Sequence, residues 1–90
     1  MSSADLIPFL KEQGYQNLRV LADGTIVGTQ DLMFTRALFV DLDRHGFGSR
    51  YCYEDRGLAD AAAMLMTSGD EPPIKGYVAQ RGRVIGERRE

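Results

Sequence analysis

The chain has 90 residues, of which 43% are hydrophobic and 27% are charged, as expected of one small globular domain. Eleven Lys and Arg face thirteen Asp and Glu, and the resulting net charge of -2 argues against a dedicated nucleic-acid-binding domain. A single cysteine excludes an internal disulfide and points to a reducing cytoplasm. One cysteine with one histidine excludes Cys- and His-rich metal sites. No run approaches the roughly 18 apolar residues of a membrane span, and the N-terminus lacks a signal-peptide pattern.

The first third of the chain predicts a short helix followed by a β-hairpin. Residues 5–13 carry apolar side chains at helical spacing, with Pro8 in the first turn and Gly14 just beyond the end. Residues 17–30 contain two β-rich runs on either side of Asp23-Gly24, a strong signal for a tight turn because Gly tolerates a positive φ.

In the rest of the chain, the pattern of apolar residues predicts strands over 32–43, 50–54 and 74–80 and a helix over 56–67. The helix is rich in alanine and has Asp55 as its N-cap. Strands joined by tight turns form an antiparallel meander. We therefore predict an α+β fold in which four or five antiparallel strands carry two helices packed on one face.

The predicted domain covers residues 1–80 as a single unit. Residues 81–90 contain four Arg and two Glu, and they are predicted to form an Arg-rich, flexible C-terminal tail.

Motifs for catalysis or metal binding are weak in this sequence. Asp41, Asp43 and His45 resemble the start of a calcium loop, but the last ligand position holds Cys52 instead of Glu. A cysteine between two tyrosines in a strand is typical of a small buried side chain, so pairing it with His45 as nucleophile and base is not favoured. We predict no catalytic residue, no metal site and no cofactor.

The alternation of side chains in the strands divides the predicted sheet into two faces. The face towards the helices is predicted to carry Leu38, Val40, Leu42, Cys52, Ile74 and Val78. The other face then carries Phe39, Asp41, Asp43, Tyr51, Tyr53, Lys75 and Tyr77. Aromatic side chains edged by charge are enriched in protein interfaces. The candidate partner-binding residues are Phe39, Asp41, Asp43, Tyr51, Tyr53 and Tyr77, unless one helix covers this face and makes it a second core layer.

Residues 20–76 also contain a series of short motifs that resemble one group of proteins. The motifs are Asp23-Gly24, Met33-Phe34-Thr35, Leu38-Phe39-Val40, Leu42-Asp43, Arg50-Tyr51-Cys52-Tyr53, Gly69-Asp70 and Pro72-Pro73. They resemble small uncharacterised proteins encoded in phages and prophages. Such proteins tend to have a Trp just before the Gly-Asp turn, whereas this chain has no Trp. The resemblance implies an accessory role, and it carries no catalytic residue over to this chain.

Stand-alone phage proteins of this size commonly bind one host protein, as anti-CRISPR and other counter-defence inhibitors do. We therefore expect a non-enzymatic accessory protein that acts in the host cytoplasm by protein-protein binding. Its expected partner is a host or phage protein, or a second copy of the chain in a homodimer. The alternative is a small nucleic-acid-binding protein that uses the sheet aromatics and the Arg-rich tail.

Overall fold

The computed structural model describes residues 3–69 and 71–81. A 3-10 turn at Ser3–Leu6 leads into α1 (Ile7–Glu12), β1 (Gln16–Val20), β2 (Ile26–Asp31), β3 (Arg36–Val40), β4 (Ser49–Tyr53), α2 (Arg56–Leu65) and β5 (Tyr77–Arg81). The five strands form one antiparallel sheet in chain order. The predicted α+β fold and antiparallel meander are confirmed.

The β1–β2 hairpin turns at Asp23-Gly24, as predicted. Gly24 has a φ of +89°, a conformation that L side chains rarely adopt. One carboxylate oxygen of Asp23 accepts a hydrogen bond from the Thr25 amide at 3.0 Å. The other accepts one from the Gly69 amide at 2.9 Å, so this turn also holds the chain beyond α2.

β3 is shorter than the strand predicted over 32–43. At its start, the Leu32 amide donates to the Thr35 carbonyl at 2.8 Å, and the two residues close the turn between β2 and β3. At its end, Asp41 has a φ of +67°, which takes the backbone out of the extended conformation. The alternation of side chains therefore does not continue past Val40.

Helix α2 covers one face of the sheet. Asp55 is its N-cap, as predicted, and its side chain accepts a hydrogen bond from the Gly57 amide at 3.0 Å. The buried side of the helix consists of Ala59, Ala62 and Ala63, whose small side chains allow a close approach to the sheet. They pack with Leu21, Val27, Leu38, Val40, Tyr53 and Met66 in one hydrophobic cluster.

The side chains of α1 belong to a second cluster on the other face. Leu10 is 1% exposed and packs with Ile26, Ala37, Phe39 and Leu42. Consecutive residues of β3 thus alternate between the two clusters, so the sheet lies between α1 and α2. This differs from the expectation that both helices share one face. Each sheet face has its own apolar side chains to cover, and one ten-residue helix covers only one face.

Arg36 is the centre of a buried polar network under α2. Its side chain is 8% exposed and forms ion pairs with Asp31 at 2.9 Å and Asp60 at 2.8 Å. It also donates to the hydroxyl of Thr29 at 2.9 Å. The network joins β2, β3 and α2, and the Arg36 guanidinium, as hydrogen-bond donor, lowers the pKa of the Asp31 carboxyl.

The C-terminal boundary of the described structure lies in β5. Arg81, the first residue of the predicted tail, is the last residue of this strand and pairs with Ser49. The rest of the predicted tail, residues 82–90, lies outside the described residues.

Candidate protein-interaction surface

The predicted aromatic face is divided between the two sides of the sheet. Phe39 lies on the α1 side, where it is 3% exposed. Its ring meets those of Tyr15 and Phe47 edge-to-face, at centroid distances of 5.2 and 4.8 Å. Phe39 is therefore a core residue, and its ring offers no surface to a partner.

The three candidate tyrosines lie on the α2 side. Tyr53 is fully buried, and its hydroxyl donates to the carbonyl of Ile74 at 2.7 Å. The ring of Tyr77 meets those of Tyr51 and Tyr53 edge-to-face, at 4.9 and 5.7 Å. Burial, with smaller effects from Tyr77 and Tyr51, raises the pKa of Tyr53 to about 12. A helix covers this face, so the alternative of a second core layer is correct for Tyr53.

The register between β3 and β4 explains the wrong division of the faces. Leu38 pairs with Tyr51, and Ala37 pairs with Cys52. The prediction placed Leu38 and Cys52 on one face, which is an error of one residue in register. Such an error moves every side chain of a strand to the opposite face.

Asp41 and Asp43 lie in the loop between β3 and β4. Asp41 is exposed, and Asp43 is half-buried. The Asp43 carboxylate accepts a hydrogen bond from the His45 amide at 2.7 Å, which fixes the tight turn that ends at Gly46. Within residues 3–69 and 71–81, no three His, Cys, Asp or Glu side chains form a group that could hold a metal ion.

An open groove crosses the β4–β5 half of the α1 side of the sheet. The α1 side chains cover the other half, where Leu10 packs with Ile26 and Ala37. The groove has a volume of about 420 Å³. It is lined by Leu32, Met33, Phe34, Thr35, Arg50, Cys52, Glu54, Gly76, Val78 and Gln80.

Three large apolar side chains of the groove are mostly exposed. Met33 is 83% exposed and Phe34 is 81% exposed, and both lie in the turn between β2 and β3. Val78, which is 65% exposed, lies in β5 opposite Cys52. Exposed apolar side chains that share one surface mark contact sites in soluble proteins.

The groove also carries charge of both signs. Arg50 donates to the side-chain oxygen of Gln80, and its guanidinium lies 5.8 Å from the ring centroid of Phe47. The Nε atom of Arg50 is buried and has no hydrogen-bond partner among the described residues. Glu54 is exposed at the other end of the groove. The ion pairs in the described part of the chain use neither residue.

The sequence prediction missed Met33 and Phe34 as surface residues. The strand predicted over 32–43 rests on the alternation of side chains further along the segment, from Leu38 to Asp43. The run Leu32-Met33-Phe34 has no alternation of apolar and polar residues, and this was the available signal against a half-buried strand.

Comparisons with known proteins assign neither a family nor a function to this chain. No protein-family model, curated protein or solved structure matches this chain significantly. Among the described residues, no helix has the length and apolar character needed to cross a membrane.

Proposed function

We propose that this chain is a non-enzymatic accessory protein of the phage type that acts in the cytoplasm by binding another protein. The observation that carries the proposal is the open groove, where Met33, Phe34 and Val78 are exposed together. The resemblance of residues 20–76 to small phage and prophage proteins supports the accessory role. Inhibition of a host defence protein by surface contact is the form of this role that we propose.

The shape of the groove favours a protein partner over a small molecule. Sites for small molecules bury most of the ligand and are largely enclosed. Met33, Phe34 and Val78 of this groove are instead more than half exposed, and they stand beside one arginine and one glutamate. An apolar centre with charged residues near it is the usual composition of a protein interface.

Binding of nucleic acid through the sheet aromatics has less support. Base stacking requires exposed aromatic faces. Phe39 and Tyr53, two of the aromatics proposed for this role, are 3% and 0% exposed.

A capture experiment with two matched double variants tests the proposal. The tagged chain is expressed in its host, and the proteins that it retains are quantified by mass spectrometry. Met33→Ser with Phe34→Ser removes the apolar groups of the groove. Met64→Ser with Leu65→Ser removes apolar groups of similar exposure, 63% and 59%, from α2. The first pair is expected to lose the retained partner at least tenfold, and the second pair is expected to keep it.

Two results would contradict the proposal. One is a wild-type chain that retains no protein above the level of an untagged control. The other is equal retention by the two double variants, which would place the contact surface elsewhere.

A further inference from the structure

We propose that the host protein binds the groove with an extended segment, which pairs with the edge of β5 as a sixth strand of the sheet. This inference rests on the proposed function, because it states how the partner of the same groove is bound. Strand addition combines main-chain hydrogen bonds along a sheet edge, which provide affinity, with pockets for alternate side chains, which provide specificity.

The edge strand β5 has the features of a strand that can pair with another chain. Among the described residues, it pairs with β4 alone, and its register is unbroken over Tyr77–Arg81. Every second residue of such an edge directs its amide N–H and carbonyl groups away from the sheet. The strand contains no proline, its only charged residue is Arg81 at its end, and its last four residues are exposed.

The opposite edge of the sheet is protected against such pairing. β1 has an irregular register between Gln16 and Arg19, where Asn17 has a φ of +53°. The side chain of Asn17 also donates to the carboxylate of Asp60 in α2 at 2.9 Å. Bulges and irregular backbone are means by which proteins block an edge strand. The contrast between the two edges favours β5 as the place where another chain pairs.

The groove lies beside this edge, so an added strand would place side chains in it. Gly76, Val78 and Gln80 line the groove. Opposite residues of paired strands share a face, and every second side chain of the added strand would therefore enter the groove next to them. Gly76 has no side chain, which leaves room for a residue of the added strand to approach Glu54 and the exposed ring of Phe34.

The charges of the groove define the order of side chains that the bound segment needs. A strand antiparallel to β5 runs in the direction of β4, from the Arg50 end of the groove to the Glu54 end. Arg50 reaches across to the side chain of Gln80, so its guanidinium lies towards the edge. A carboxylate opposite Gln80, an apolar side chain opposite Val78 and a cation beside Gly76 would then meet Arg50, Val78 and Glu54 in turn.

A second copy of this chain does not have this order of side chains. Two β5 strands that paired around a two-fold axis at Ala79 would set Val78 opposite Gln80. An apolar side chain would then lie where the groove presents Arg50, and an amide would lie opposite Val78. The side chains therefore favour a segment of a different protein over self-association along this edge.

The test uses the blocked peptide Thr-Glu-Thr-Leu-Thr-Lys-Thr, which has the required order at alternate positions and threonine, a strand-forming residue, between them. The peptide is titrated into the isotope-labelled full chain and followed by NMR. We expect binding at millimolar concentration or below, with the largest amide shifts in β5 and the groove. Alternate amides of β5 are expected to exchange with solvent at least tenfold more slowly in the complex.

A charge exchange tests the predicted order of side chains. Glu54→Lys sets two cations next to each other and is expected to weaken binding about fivefold. The peptide Thr-Glu-Thr-Leu-Thr-Glu-Thr is expected to restore the affinity for this variant. The matched control is Glu12→Lys, which changes an exposed glutamate of α1 outside the groove and is expected to leave binding unchanged. Circular dichroism establishes that both variants are folded.

Two N-methylated forms of the peptide separate strand pairing from other ways of filling the groove. One form carries N-methyl groups at the odd positions, and the other carries them at the even positions. In a paired strand, only one of these two sets of amides faces β5. One form is therefore expected to lose binding at least tenfold, and the other is expected to retain it.

Three results would overturn the inference. They are no binding of the peptide at millimolar concentration, equal binding of the two N-methylated forms, and β5 amides that are all protected from exchange before the peptide is added. If the capture experiment retains a host protein through Met33 and Phe34 while the peptide fails to bind, the proposed function stands and only this inference fails. Capture of no protein would contradict the proposed function itself.

Discussion

Tyr53→Ala is expected to destabilise the protein by about 3–5 kcal/mol, as large-to-small changes of buried aromatics do. The Tyr53 side chain is fully buried among the alanines of α2 and the rings of the β4–β5 pair. A chain of this length has a total stability of roughly 0.05–0.15 kcal/mol per residue, so the loss is a large fraction of it. Chemical denaturation followed by circular dichroism measures the change.

Tyr53→Phe is the matched control, because it keeps the ring and removes only the hydroxyl. The hydrogen bond to the carbonyl of Ile74 is then lost, at a cost of about 1 kcal/mol. If Tyr53→Ala were as stable as the wild type, the tyrosine would lie on an open face, as the sequence alone suggested, and the packing of α2 described above would be wrong.

Arg36→Met is expected to cost about 3 kcal/mol, because the hydrogen bonds of a buried charged group are worth more than neutral ones. The substitution keeps most of the apolar stem and removes the guanidinium that joins Asp31, Thr29 and Asp60. Both carboxylates are about half exposed and water can solvate them after the change, which limits the loss.

Arg56→Met provides the control for charge alone. Arg56 forms an ion pair with the same Asp31 carboxylate at 3.1 Å, but its side chain is 51% exposed. Exposed pairs of this kind contribute about 1 kcal/mol or less. Equal destabilisation by the two substitutions, measured by urea denaturation, would contradict a special role for the buried arginine.

Local signals in the sequence were sufficient for the turns and helices that depend on few residues. Asp23-Gly24 determines its turn through the positive φ of Gly24, and Asp55 caps α2 through its own side chain. Each of these features needs only neighbours in the chain. The meander followed from the short connections between strands.

The division of the sheet faces depends on information that local patterns do not carry. It requires the register between β3 and β4, and the eight-residue loop between them allows more than one register. Asp41 leaves the strand with a positive φ although nothing in the pattern marks this position. Leu42 therefore packs with Phe39 on the α1 side instead of following Leu38 and Val40.

The sequence predicted the kind of side chains at the candidate surface, but it did not predict which residues carry them. Exposed aromatic side chains beside charges were expected, whereas the groove exposes one aromatic ring, that of Phe34, together with Met33 and Val78. Their exposure depends on the position of α1, which covers one half of its sheet face and leaves the other open. The length and placement of a six-residue helix cannot be derived from its own periodicity.

The most direct test of an open β4–β5 half-face is the labelling rate of Cys52 in dilute solution. A maleimide reagent is added to the native protein over a series of denaturant concentrations below the unfolding transition. We expect Cys52 to react from the native state, at a rate that does not depend on denaturant in this range. Labelling that occurs only in proportion to the unfolded fraction would contradict the account, because it would mean that another part of the chain covers this half of the sheet.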